Sequence, residues 1–140
     1  MRCMFNVPRA PRRPMAPAPS HAQPSPPPAT CRGAHLICEL HGASTLCDAE
    51  YVAGVLRRAA RRCDARVLET RLHPFAENGG VTGVVLLAES HVTIHTWPEH
   101  AYAAVDVFLC GDCDPRASLP VFERAFAPER IEHRLIERGQ

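Results

Sequence analysis

A serine that follows a glutamate and precedes histidines at one and five residues' distance marks the most reactive stretch of this 140-residue chain, Leu87-Ala-Glu-Ser-His-Val-Thr-Ile-His-Thr-Trp-Pro-Glu99. A cysteine, Cys110, closes the apolar run Ala103-Ala-Val-Asp-Val-Phe-Leu-Cys110 soon after. A serine hydroxyl can attack the carbonyl carbon of the peptide before it through a five-membered ring, converting an amide into an ester. Planar trans peptides resist this, because amide resonance is lost in the intermediate. Three aids are needed: a strained turn, a donor for the developing oxyanion, and a base for the serine α-proton. The Glu89–Ser90 junction between two extended segments offers the strain, Thr82 or His95 the polar help, and His95 the base. Elimination from the ester would cut the chain and leave dehydroalanine at position 90. Hydrolysis of that group releases ammonia and leaves a pyruvoyl ketone.

The same residues allow a rival reading as a zinc module, since His91-x3-His95 and Cys110-x2-Cys113 have the look of ligand pairs. Spacing argues against it. Residues four apart on a strand lie about 13 Å apart at ~3.3 Å per residue. Imidazoles so separated do not share an ion whose bonds to nitrogen are about 2 Å. Metal analysis of purified protein separates the two readings, and the self-processing one expects no stoichiometric metal.

The elements that must position these groups read as follows. His35–His41 is a strand entered from Gly33. A helix runs from about Leu46 to Cys63, with Thr45 and Asp48 forming an approximate capping box and Arg57, Arg58, Arg61 and Arg62 on its wet side. Ala65 to Phe75 alternates as a strand, Asn78-Gly79-Gly80 is a turn, and Val81 to Ala88 is an apolar β-branched strand. From His91 the chain alternates again, placing His91, Thr93 and His95 on one face until Pro98 ends the run. Tyr102 to Leu109 is a further strand. Asp114-Pro115 opens a helix to about Ala127, within which Pro120 is awkward, and Arg130 to Glu137 closes as a strand. The pattern implies an α+β fold, a two-layer sandwich in which an antiparallel sheet carries two helices on one face.

Composition bounds the rest. Residues 1–30 hold nine of the fourteen prolines and four arginines but no carboxylate, and read as a disordered basic leader. The body, residues 31–140, holds twelve arginines against fifteen carboxylates, a mild net −3 that gives no reason to expect nucleic acid. No run approaches the ~20 apolar residues of a membrane span, and the leader lacks the apolar centre of a secretory signal, so a cytoplasmic protein is expected. Seven cysteines, an odd number, then read as reduced thiols. A core built from so short a body is modest, and a dimer would bury more apolar surface.

The segment from Glu89 to Cys110 closely resembles the short, pyruvoyl-dependent S-adenosylmethionine decarboxylase proenzymes of prokaryotes, and a looser likeness extends from about Gly33 to Gly139. The resemblance implies self-cleavage into a β chain (1–89) and an α chain (90–140) opened by a pyruvoyl group derived from Ser90. That group would form a Schiff base with the substrate amine and withdraw electrons as carbon dioxide leaves, the part played elsewhere by pyridoxal phosphate. It further implies that His95 promotes processing, that Cys110 returns a proton to the substrate, and that Thr82 stands where the family has a processing serine. Phe75 would stack on adenine, Glu99 would bind the ribose, and Phe75 and Trp97 offer aromatic faces to the sulfonium. The expected product is the aminopropyl donor for spermidine synthesis, made by a homodimer of processed protomers with sites at or near the subunit interface. A relative acting on ornithine or arginine would share the reactive core. The loop from Phe75 to Thr82 is one residue longer than is usual in the family, and the Pro-rich leader has no counterpart there.

Overall fold

The structure, a computed structural model, describes residues 32–139; the leader assigned to residues 1–30 lies outside them. Six strands form one sheet: β1 (Gly33–His41), β2 (Val67–Pro74), β3 (Val81–Leu87), β4 (Ser90–Trp97), β5 (Tyr102–Cys110) and β6 (Arg130–Arg138). Their order is β2-β3-β4-β5-β1-β6 and every neighbouring pair is antiparallel. Two helices, α1 (Ala49–Arg62) and α2 (Leu119–Phe126), cover one face. This is the two-layer α+β sandwich that the residue pattern implies.

Period-two alternation decides which side chains are buried. β5 buries Ala103, Val105, Val107 and Leu109 and turns Tyr102, Ala104, Asp106, Phe108 and Cys110 the other way. β4 likewise buries Val92, Ile94 and Thr96. The helices close the core with Val52, Val55, Leu56 and Ala59 of α1 and with Phe122 and Phe126 of α2, both phenylalanines fully buried. Among the described residues, no helix lies over the opposite face of the sheet. His35, His91, Thr93, His95, Asp106 and Phe108 stand there. Among the described residues, no helix is long and apolar enough to cross a membrane.

Three local expectations need correction. The N-cap of α1 is Asp48, whose carboxylate accepts the backbone N–H of Tyr51 at 3.0 Å. Thr45 sits at φ +60° in the approach and cannot take the extended cap conformation, so the helix begins at Ala49 rather than Leu46. The second helical segment is divided. Asp114 caps a 3-10 turn, Pro115–Ser118, and the α-helix proper starts at Leu119, so that Pro120 falls in its first turn, where no N–H is required. Finally, β2 carries a bulge between Val67 and Glu69. Strict alternation would group Val67 with Glu69 and Arg71; the extra residue instead lets Val67 pack against the core and leaves Leu68 exposed.

One buried hydroxyl ties the layers together. Thr96 Oγ1 accepts the N–H of Val81 at 2.7 Å and donates to the carbonyl of Leu46 at 3.0 Å. Thr96→Val should therefore cost about 1–3 kcal/mol, because both partners lose their bond inside the protein. Denaturant unfolding measures this, and a change below about 0.5 kcal/mol would show that the bridge contributes little.

Candidate active site

Reactive groups gather at two ends of the sheet. At the first, Leu87 pairs with Ser90, so only Ala88 and Glu89 join β3 to β4. Two-residue hairpin loops favour Asn-Gly or Asp-Gly, which accept positive φ readily. This chain places Glu89 there, at φ +62°. A non-glycine residue held in that region stores on the order of 1–3 kcal/mol. The strained residue immediately precedes the Glu89–Ser90 peptide bond.

β5 supplies the rest of this end. His91 pairs with Phe108, so Glu89, two residues back, lies across from Cys110. The backbone N–H of Cys110 donates to Ser90 Oγ at 3.0 Å, and its thiol donates to the carbonyl oxygen of Glu89 at 2.8 Å. One residue thus fixes the hydroxyl and polarises the carbonyl that the hydroxyl would attack. A donor in that position opposes the charge of a developing oxyanion. Alongside, His91 stacks on Phe108 with ring centroids 5.6 Å apart and meets His35 edge-on at 6.3 Å. His35 Nε2 lies 3.1 Å from Asp106 Oδ1, and Thr93 Oγ1 donates to Asp106 Oδ2 at 3.4 Å. Burial holds the His91 imidazole below the ordinary histidine pKa, the nearby His35 adds to this, and Asp106 partly opposes it.

The second end is a cleft of about 560 Å³ lined by Phe75, Asn78, Thr82, His95 and Trp97, among others. That size and its aromatic lining suit a small organic ligand. Thr82 and His95 are cross-strand partners, with Oγ1 and Nδ1 2.7 Å apart. Trp97 stands 6.2 Å from His95 and stacks on Tyr102 at 5.3 Å. The Tyr102 hydroxyl donates to the Glu39 carboxylate; burial first, then that bond and charge, push the phenol up to about 12. Glu99 follows β4 in a 3-10 turn, Pro98–His100. A hydrogen bond from its own backbone N–H and a second from Asn78 hold its carboxyl below the usual range.

The structure therefore brings Glu89, Ser90 and Cys110 together, and separately Thr82, His95, Phe75 and Trp97, with Glu99 reaching the second group through Asn78. It does not join the two groups within one chain. Ser90 and His95 are five residues apart on the extended β4, about 16 Å, and on opposite sides of its pleat. His95 is out of reach of the Ser90 beside it in sequence. Asp106, His35, Tyr102 and Asn78 were not singled out from sequence. A carboxylate interrupting the apolar run of β5 was the available signal for Asp106; Asn78 read only as a turn residue. Among the described residues, no cluster of three or more His, Cys, Asp or Glu side chains could hold a metal ion.

Residues 34–139 match the family model described as S-adenosylmethionine decarboxylase. The S-adenosylmethionine decarboxylase proenzyme of Thermomicrobium roseum is 40% identical over 108 residues, covering 76% of this chain and 93% of that protein. That of Methanococcus maripaludis is 42% identical over 110 residues, covering 76% and 89%. The crystal structure of the adenosylmethionine decarboxylase from Aquifex aeolicus is similar with a TM-score of 0.72 at 33% identity, over 80% of this chain and 94% of that one.

Proposed function

Since this chain belongs to the S-adenosylmethionine decarboxylase family, we propose that it is a proenzyme that cuts itself between Glu89 and Ser90 and then decarboxylates S-adenosylmethionine. The product is the aminopropyl donor for spermidine synthesis. The observation that carries this reading is the Glu89–Ser90 turn, where a left-handed Glu89 is clasped from β5 through both the Ser90 hydroxyl and the Glu89 carbonyl.

Processing follows from these contacts. The Ser90 oxygen adds to the Glu89 carbonyl carbon while the Cys110 thiol faces the carbonyl oxygen. The C–N bond then breaks as the hydroxyl proton passes to the freed nitrogen, leaving an ester. Removal of the Ser90 α-proton, by a His95 brought from the partner protomer, expels the Glu89 carboxylate, which becomes the new C-terminus of the β chain, 1–89. Hydration of residue 90 then releases ammonia and opens the α chain, 90–140. The surroundings of residue 90 fit a pyruvoyl group, since the Cys110 N–H already addresses a small oxygen-bearing group at that position. Such a group supplies a carbonyl for the substrate amine and an adjoining amide that withdraws electrons. Cys110, at the end of β5, returns a proton to the substrate carbon, a role its position beside residue 90 supports. Phe75 and Trp97, partly exposed beside the cleft, offer faces to the adenine and the sulfonium. Glu99 accepts the ribose hydroxyls.

The working unit is a homodimer. The Ser90 turn and the cleft lie at opposite ends of the sheet, and among the described residues no helix covers the face that carries Cys110 and His95, where Leu86, Trp97 and Ile136 remain exposed. Two such faces related by a twofold axis would set Cys110 and the adjoining Glu89–Ser90 turn of one protomer against Thr82, His95 and Phe75 of its partner, an isologous arrangement. We assign the enzyme to the cytoplasm, where its free thiols stay reduced, with residues 1–30 as a leader to the catalytic fold.

Turnover assays with S-adenosylmethionine, ornithine and arginine test the substrate: activity with the first supports the reading, and activity confined to the amino acids overturns it. The strain has its own test. Glycine accepts φ +62° freely, so Glu89→Gly should slow self-cleavage by about tenfold while the precursor folds normally. An unchanged cleavage rate would mean that the turn stores nothing the reaction uses.

A further inference from the structure

The loop from Phe75 to Gly80 holds a contact that neither the reactive motif nor the fold requires. Its ends are fastened by two backbone bonds, Phe75 N–H to Gly80 O at 2.7 Å and Gly79 N–H to Phe75 O at 3.0 Å. Gly80 is buried against β4, where an added Cβ would stand 2.8 Å from the Thr96 carbonyl oxygen. The Asn78 side chain therefore leaves the loop from a fixed base. Its Oδ1 accepts the Gly80 N–H at 2.9 Å and its Nδ2 donates to Glu99 Oε1 at 3.0 Å. The two partners settle which end of the amide is which, because one offers only a hydrogen and the other only lone pairs.

We propose that Asn78 is a positioning residue for substrate selection: it holds the Glu99 carboxylate in the orientation that receives the ribose hydroxyls. This rests on the reading of Glu99 as the ribose contact. Glu99 sits in an exposed turn, where a free glutamate would lose side-chain entropy on meeting a ligand. Asn78 removes part of that cost in advance, since it already holds Oε1 of the carboxylate. Asn78 also lines the same cleft as Phe75 and Trp97, so the clamp and the aromatic faces act on one ligand.

The test uses processed enzyme and two variants. Asn78→Asp keeps an oxygen for the Gly80 N–H but replaces the donor facing Glu99 with a repelling carboxylate. Asn78→Ala removes both bonds. We expect KM for S-adenosylmethionine to rise about three- to tenfold in Asn78→Ala and at least as much in Asn78→Asp, with kcat within about twofold. Equilibrium binding of 5′-methylthioadenosine should weaken in parallel, while its 2′,3′-dideoxy analogue should bind wild type and variants alike. In a Glu99→Ala background the Asn78 substitutions should add nothing further. If Glu99→Ala weakens methylthioadenosine but Asn78→Asp is silent, or if Asn78→Asp costs as much without Glu99 as with it, the clamp is refuted and Asn78 only closes the loop. If Glu99→Ala itself leaves nucleoside binding unchanged, the ribose reading fails, and the clamp falls with it.

Discussion

Ser90→Ala should give a single uncut chain on a denaturing gel and no detectable decarboxylation. The loss is expected to be complete because Ser90 supplies both the nucleophile for cleavage and the atoms of the electrophile used in turnover; alanine has no oxygen to attack the Glu89 carbonyl. Collapse of the fold does not explain such a result in advance. The Ser90 hydroxyl makes one bond, from the Cys110 N–H, and its loss costs about 0.5–1.5 kcal/mol. A thermal melt within a few degrees of the unprocessed wild type would confirm that the variant is folded. Cleavage or turnover by Ser90→Ala would remove the basis for the mechanism.

The second large effect distinguishes a site built by two chains from one built by a single chain. His95→Ala alone should process slowly or not at all. Co-expressed with Ser90→Ala, however, it should regain activity, because a mixed dimer pairs the intact Ser90 of one protomer with the intact His95 of the other. Random pairing makes about half the dimers mixed, each with one complete site, so activity should approach about a quarter of wild type. The gel carries the sharper readout: the chain that is cut must be the one lacking His95. Absence of rescue, with both chains folded and dimeric, would mean that His95 acts on its own protomer, against the roughly 16 Å that separates it from Ser90 along β4.

The outline of this molecule was readable from residue order because its signals are local and strong. Alternation in β4 and β5 places His91, Thr93 and His95 on one face, and Asp114-Pro115 marks a capped start. The departures arise where two local rules compete. Thr45 and Asp48 have the spacing of a capping box, but the left-handed φ of Thr45 rules it out as the cap and Asp48 takes the role. A bulge, invisible to a strict period of two, moves Val67 to the core side of β2. At the site, spacing along the chain suggested that Ser90 and His95 work as a pair, whereas an extended strand holds them far apart; proximity in sequence is not proximity on a strand. The partnership of Cys110 with Glu89 depends on the β4–β5 register, and that of Asn78 with Glu99 on how a loop folds back over the end of β4. Neither follows from a local pattern. The strain expected at the Glu89–Ser90 junction takes its form, a left-handed Glu89, from a hairpin that leaves two residues for its turn, and that length depends on the β3–β4 register.

Intact-mass analysis of the purified, active protein tests the central claim most directly. Conversion of Ser90 predicts two chains divided between residues 89 and 90, the C-terminal one lighter by a single ammonia than a chain that begins with serine. A fully active preparation in which residues 89 and 90 remain joined in one mass would contradict it.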